Sequence, residues 1–349
     1  MPDNAFLQVT NISATYDNKS TVVNDVSFDL HEGELACLLG PSGCGKTTIL
    51  RAIGGFQDLR SGKIALDQNI ISLPEKLVSP EKRGVGMVFQ DHALFPHLTI
   101  SQNVGFGLQH LSKQERTRKI AKLLELVDMS GYQQQYPHEL SGGQSQRIAL
   151  ARAIAPEPKL LLMDEPFSNL DTELRESLGY EIRELLKELS ITAIMVTHDQ
   201  HDAFALGDKI GVVSQGRLAQ WDTSFNLYHA PINRFVANFI GEGVFVKGSV
   251  TSDNTVTTAL GVFSGEMVNS YKQGQDIEIL IRPDDVKYDP LSKIQGQVIR
   301  KAFKGAQTLY TISTPNEDTL MSLLPSHENH QVGDIIGVSI HTDHLVCFK

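Results

Sequence analysis

Short apolar runs separated by turn residues set the rhythm of the first two-thirds of the chain. Leu35-Ala36-Cys37-Leu38-Leu39 is apolar throughout and has the length of a strand buried on both faces. Thr48-Ile49-Leu50-Arg51-Ala52-Ile53, a little further on, reads as a helix. Upstream, Phe6-Leu7-Gln8-Val9 and residues 22–28 are β-type, and the second run alternates apolar with polar positions, as a half-buried antiparallel strand does. Residues 62–67 and 85–90 predict two further strands. Beyond Asp91 the period lengthens. Residues 112–129 place Ile120, Leu123, Leu124 and Val127 at i, i+3, i+4 and i+7, the stripe of an amphipathic helix. Residues 91–155 therefore read as a helical insertion. The core resumes with the buried strand Leu160-Leu161-Leu162-Met163, a long helix over 171–189 and another buried strand from 192 that ends in His198.

Around Phe239-Ile240-Gly241-Glu242-Gly243 the pattern changes again. Short β runs at 244–246, 276–281, 296–299, 308–312 and 335–340 alternate with turn residues, which suggests a small barrel or sandwich. Two domains follow, an α/β domain over 1–239 and a β-rich one over 240–349.

Several loops between these elements carry chemistry. Gly40-Pro41-Ser42-Gly43-Cys44-Gly45-Lys46-Thr47 follows a strand and opens a helix. Glycines there let the backbone wrap an anion, and the helix N-terminus points amides at phosphate oxygens. Lys46 reaches the terminal phosphates, Thr47 offers a hydroxyl to Mg²⁺, and Thr48, the first residue of the following helical run, counts with the nucleotide-binding set. Leu140-Ser141-Gly142-Gly143-Gln144 sits ahead of a second helix and makes another anion cradle. Asp164 and Glu165 end a buried strand, where ligands bind in open α/β sheets. Asp164 suits a Mg²⁺ shell, and Glu165 suits the orienting or deprotonation of water. His198 ends the strand that begins at Thr192 and emerges on the same edge. Tyr16, in a polar loop, offers a face on which adenine could stack, and Asp171 stands as a loop residue or N-cap before the long helix.

Composition narrows the setting. Of 349 residues, 41% are hydrophobic and 21% charged, as in ordinary globular proteins. A net charge of −10 argues against a broad nucleic-acid surface. No apolar run is long enough to span a bilayer, and the first ten residues lack the features of a secretory signal. Three scattered cysteines form neither a disulfide framework nor a metal motif. The expectation is a protein of the cytoplasm whose membrane role, if it has one, runs through a partner.

The ordered set of Gly40–Thr47, Gln90, LSGGQ at 140–144, LLLMDE at 160–165, SNLD at 168–171 and His198 resembles an ABC-type ATPase over about residues 5–238. That resemblance implies a P-loop NTPase fold with a helical insertion, followed by a small all-β, OB/TOBE-like regulatory domain. It implies ATP and Mg²⁺ as cofactors, with Thr47, Gln90 and Asp164 around the metal. It also implies a head-to-tail dimer. Lys46, Thr47, Gln90, Asp164, Glu165 and His198 of one copy face Ser141, Gly142, Gly143 and Gln144 of the other across ATP. Asp171 and Tyr16 complete the nucleotide contacts. Ile281-Arg282-Pro283-Asp284 resembles a motif of the regulatory domain of importer ATPases. Residues 93–108 and 239–245 look most like ferric-ion importers, with polyamine, sulfate and sugar importers sharing the plan. The implied partners are a second copy, an integral membrane permease and, indirectly, a substrate-binding protein. The implied place is the cytoplasmic face of the cell membrane. Asn169 and Ser145 depart mildly from the family pattern. Cys44, beside a helix N-terminus, is expected to have a lowered pKa.

Overall fold

The computed structural model describes residues 5–16, 20–168, 170–252, 254–267, 271–316, 318–342 and 344–349, and of Tyr16, Ser20, Thr172 and Glu173 only the backbone. The stacking role expected of the Tyr16 side chain and the departure at Asn169 lie outside the described residues. The chain divides into two compact units, Met1–Ser224 and Phe225–Lys349.

The first unit begins with β1 (Leu7–Tyr16), β2 (Ser20–Leu30), β3 (Leu35–Leu39), α1 (Lys46–Gly54), β4 (Ser61–Leu66), β5 (Asn69–Leu73), β6 (Lys76–Leu77) and β7 (Val85–Val88). The helical insertion follows: α2 (Ile100–Val104), α3 (Lys113–Leu126) and α4 (Gly142–Ile154). Then come β8 (Leu160–Asp164), α5 (Thr172–Glu188), β9 (Thr192–Thr197), α6 (Gln200–Leu206), β10 (Lys209–Ser214) and β11 (Arg217–Asp222). One sheet has the order β2-β1-β4-β5-β6 and is antiparallel. The other has the order β11-β10-β3-β9-β8-β7 and is parallel apart from β11.

Burial explains the second sheet. Every residue of β3, β8 and β9 is buried, the state an unbroken apolar run demands of a parallel strand covered on both faces. The first unit's core joins Leu7, Ile12, Val26 and Leu30 of the antiparallel sheet to Leu38, Leu162 and Ile194 of the parallel one, with Ile49, Leu50 and Ile53 of α1 in the same cluster. Because β7, β8, β9 and β3 run in parallel, their C-terminal ends share an edge. Register places Leu39 beside Thr197, Asp164 beside Val196 and Val88 beside Met163.

The helices of the insertion begin at capping boxes. Thr99 with Gln102, Ser112 with Glu115 and Ser141 with Gln144 each exchange two side chain–backbone bonds. Such caps stabilise a helix by about 1 kcal/mol each. The stripe read over 112–129 stops sooner than expected. Val127 is the C-cap of α3, and Asp128 takes φ +56°, which ends the helix.

The second unit opens with α7 (Ser224–His229), which begins at the boundary, and α8 (Arg234–Ile240). Strands follow: β12 (Val244–Ser252), β13 (Thr255–Thr258), β14 (Gly261–Ser264), β15 (Glu266–Met267), β16 (Asp276–Ile281), β17 (Val286–Tyr288), β18 (Gln295–Phe303), β19 (Gln307–Ser313), β20 (Thr319–Pro325), β21 (Ile335–Ile340), β22 (His344–Leu345) and β23 (Cys347–Phe348). They form sheets β14-β13-β12-β16-β23 and β17-β21-β18-β19-β20 around a core that includes Val250, Ile279, Val298, Tyr310 and Ile312. The compact boundary falls ahead of α7, whereas the sequence pattern shifts after α8. Packing accounts for the difference: Ala237 of α8 clusters with Leu280, Val346 and Phe348 of the β-rich unit. Arg282 adds to this. It is buried and donates to the carbonyls of Tyr228, Ala237, Gly241 and Glu242.

Candidate functional site

The loop from β3 enters α1 through Gly45, at which no side chain caps the helix. Gly43 and Gly45 have φ +77° and +108°, where a side chain would be strained. The surroundings also require glycine. A Cβ on Gly45 would come within 2.8 Å of the Val22 carbonyl oxygen, and one on Gly40 within 2.2 Å of that of Val213. The Gly216 amide donates to the Cys44 carbonyl at 2.9 Å and fixes the loop from outside. Pro41, Ser42 and Gly43 are exposed, while Thr48 is buried. Lys46 is 5% exposed, and its Nζ donates to the carbonyls of Gly40 at 2.7 Å and Pro41 at 3.0 Å. A buried ammonium beside an uncapped helix N-terminus is a charge-assisted cradle for an anion. The chemistry of the loop thus fits a polyphosphate.

Across the cradle, the Thr47 hydroxyl donates to Asp164 Oδ1 at 3.0 Å. Burial pushes the Asp164 carboxyl above its ordinary pKa, against the pull of the Thr47 hydrogen bond and of the Arg51 charge. A hydroxyl and a carboxylate side by side are a hard-oxygen pair. They fit Mg²⁺, which takes few protein ligands and completes its shell with phosphate and water. Gln90 lies exposed in the turn after β7, on the same sheet edge.

Glu165 follows β8 and adopts φ +44°, an uncommon conformation for a residue with a side chain. Its amide donates to the Val196 carbonyl at 2.9 Å, and the Ser168 hydroxyl donates to its own carbonyl at 3.1 Å. These bonds hold it beside β9. His198 Nδ1 lies 3.1 Å from Glu165 Oε2. Where Nδ1 donates in this bond, Nε2 is the ring nitrogen open to a ligand. His198 is half exposed and Glu165 less so, as a pair open to one side would be.

The other cradle is built differently. Gly142 and Gly143 lie inside the first turn of α4 rather than ahead of it, and Ser141 is the N-cap. The Ser141 hydroxyl accepts from the Gln144 amide, and Gln144 Oε1 accepts from the Ser141 amide at 2.9 Å. Gln144 Nε2 donates to the Tyr132 hydroxyl at 3.1 Å. Among the described residues this set makes no hydrogen bond to Lys46, Thr47, Asp164, Glu165 or His198. Asp171 N-caps α5 by accepting from the Leu174 amide at 3.0 Å.

One expectation is corrected. Cys44 is buried, and burial raises its thiol pKa in spite of the nearby Lys46 charge. Desolvation of the thiolate outweighs the helix N-terminus.

Sequence reading missed two braces. Arg152 of α4 donates to the carbonyls of Ala93 at 2.6 Å and His92 at 2.9 Å, residues with φ +48° and +60° just after Gln90. Arg175 of α5 donates to Asp199 Oδ2 at 2.8 Å, next to His198. The first leaves no pattern in sequence, because its acceptors are backbone atoms. The second offers only a weak sign, an arginine one turn into the helix that Asp171 caps.

Comparison with known proteins now bears on this geometry. Residues 23–168 match the model of the ABC transporter family, and residues 279–348 match that of the TOBE domain. The chain is an ATPase subunit of an ABC transporter. This ABC ATPase is similar in structure to cbiO1 from Clostridium perfringens, described as part of the ABC transporter complex cbiONQ. The two are 27% identical, and the match covers 63% of this chain and 89% of that one with a TM-score of 0.58. The ABC ATPase fold with a C-terminal all-β TOBE domain is thus the architecture of the chain, and membership of the family implies ATP hydrolysis.

Proposed function

We propose that this ABC ATPase powers uptake of ferric iron. Two copies pack head to tail, and ATP lies between Lys46, Thr47, Gln90, Asp164, Glu165 and His198 of one and Ser141–Gln144 of the other. Glu165 positions and deprotonates the attacking water, and His198 contacts the γ-phosphate side. Thr47, Asp164 and Gln90 hold Mg²⁺, which when bound neutralises charge on the phosphates. Tyr16 and Asp171 complete the nucleotide contacts. Domain 1–239 performs hydrolysis, and domain 240–349 regulates it.

The observation that carries the reading is the pairing of Glu165 with His198 and of Thr47 with Asp164 at the sheet edge that holds Lys46. A TOBE domain, typical of importers, supports import. Iron rests on the resemblance at 93–108 and 239–245; polyamine, sulfate or sugar import is the alternative. A non-transport ABC ATPase finds less support, and the net charge of −10 argues against nucleic acid. No helix among the described residues is long and apolar enough to cross a membrane. On this reading the subunit acts peripherally at the cytoplasmic face, through a permease served by a substrate-binding protein. Gln90 relays dimer closure to a permease helix docked near 91–108.

Uptake of labelled ferric iron and labelled putrescine tests this, comparing wild type with Glu165→Gln alongside phosphate release from the purified chain. The expected result is loss of iron uptake alone, with ATP binding kept and hydrolysis slowed by about two orders of magnitude or more. Loss of putrescine uptake alone overturns the substrate and keeps the mechanism. Wild-type hydrolysis by the mutant removes Glu165 from its role.

A further inference from the structure

We infer that Arg175 is a positioning residue for hydrolysis, acting on His198 through Asp199. The inference rests on the ATPase reading above. Arg175 lies one turn into α5, and its amide donates to the carbonyl of the N-cap Asp171. Its guanidinium Nη1 donates to Asp199 Oδ2 at 2.8 Å. Both side chains are largely buried, which sets this ion pair apart from an exposed, weakly coupled one.

Asp199 is held on every side. Its amide donates to Thr197 Oγ1 at 3.0 Å, and Thr197 Oγ1 in turn donates to Asp202 Oδ2 at 3.0 Å. Its other carboxylate oxygen, Oδ1, accepts from the His201 amide at 2.8 Å and caps α6. His198 lies between Thr197 and Asp199, and its ring reaches Glu165. Glu165 is tied to Ser168, close to the segment that leads into α5. A circuit results. Glu165 is approached on one side by its own loop and on the other by His198, whose chain neighbour Asp199 is held through its carboxylate by Arg175 of the helix after that loop. The Arg175 guanidinium thus links the start of α5 to the residue that follows His198. Among the described residues the Arg175 side chain makes no hydrogen bond or ion pair to the phosphate loop or to Asp164.

This separation makes the role measurable. ATP binding and steady-state hydrolysis are measured on the full-length chain for wild type, Arg175→Ala, Arg175→Lys, His198→Ala and the double variant Arg175→Ala/His198→Ala. Single-turnover conditions resolve the slow variants, and wild-type turnover by itself tests the ATPase reading. Arg175→Ala should lower kcat about 10- to 100-fold, the usual penalty for misplacing a reacting group, with the ATP dissociation constant unchanged. Arg175→Lys should recover part of the loss. In the His198→Ala background the same substitution should have almost no effect, because the two act as one unit. Equal fractional losses in both backgrounds would overturn the inference, and so would a fall in ATP affinity that matches the fall in kcat. If Arg175→Ala does not fold, Arg175→Gln keeps the stem and a donor while removing the charge, and it is read by the same cycle.

Discussion

The two helix N-termini that the sequence marks as anion cradles are opposite in construction. At α1 nothing caps the helix, the preceding glycines sit in left-handed conformations, and a buried lysine leans on its own loop's carbonyls. At α4 a capping box satisfies the end within the chain, and the glycines are ordinary members of the first turn. The first end offers uncapped amides and a buried ammonium, the features that suit it to an anion. The second is closed by the Ser141–Gln144 capping box. A cradle that must hold nucleotide in the single chain resembles α1. On the proposed head-to-tail reading, α4 is the end that meets a partner's nucleotide, and its self-contained cap suits a surface that is unliganded in the single chain.

The sharpest way to break this contrast is to remove the key side chain at each end. Lys46→Ala should raise the dissociation constant for ATP by about 100-fold, since a cation's hydrogen bonds to phosphate contribute about 1.5–3 kcal/mol each. Ser141→Ala should leave ATP binding to the dilute, single chain unchanged and lower only turnover at concentrations that allow dimers. Titration with a fluorescent ATP analogue at two protein concentrations separates the outcomes. A loss of binding by dilute Ser141→Ala chain would show that both ends serve one nucleotide within a single copy.

A second contrast uses the glycines. Gly45→Ala meets the Val22 carbonyl at 2.8 Å with φ at +108°, and backbone cannot step aside. Gly143→Ala meets only the Leu174 side chain at 3.0 Å, and that side chain is 37% exposed and free to turn. Chemical denaturation should find Gly45→Ala less stable by about 1–3 kcal/mol, the usual range for a residue forced into such a conformation. Gly143→Ala should be close to neutral. Equal losses would mean that the α4 end is as tightly packed as the loop.

What could be read in the chain follows the same division between local and distant causes. The parallel strands were legible because burial on both faces turns them into apolar runs, as in 35–39 and 160–163. The α1 loop was legible because its parts are consecutive. β1 was read only at its start: its pairing with β2 shifts register between Val9 and Ile12 and again to Ala14, and Asn11 takes φ +47°, so the alternation breaks. In the second unit the hairpin of β13 and β14 escaped notice, its two strands being four residues each around Gly261. So did β20, which ends in proline. At the site, the residue types were visible and the bonds between them were not. Nothing in sequence joins Arg175 to Asp199 or Arg152 to the carbonyls of His92 and Ala93, because those contacts exist only once α5, α6 and α4 have packed. The error over Cys44 has the same root, since a helix N-terminus can be read from sequence and the depth of burial cannot.

The smallest effect sharpens the contrast by its sign. Asp164 sits at the open end, where burial holds its carboxyl above the ordinary pKa. A raised pKa means that the folded chain binds this proton more tightly than the unfolded chain does. The charged form therefore opposes folding above the folded pKa, and that opposition fades as pH falls and the group protonates. Asp164→Asn should accordingly stabilise the nucleotide-free protein at pH 7, with Tm rising by about 2–4 °C for each kcal/mol gained, and the gain should shrink toward acidic pH. Hydrolysis should be lost in the same variant if Asp164 holds Mg²⁺ as proposed. Ser141→Ala, at the closed end, should move Tm the other way by losing its cap, with no such pH trend. Calorimetry of both variants across this pH range decides the matter. If Asp164→Asn instead lowers Tm at pH 7, the hydrogen bond from Thr47 outweighs the desolvation of the carboxylate, and the open end is as self-sufficient as the closed one.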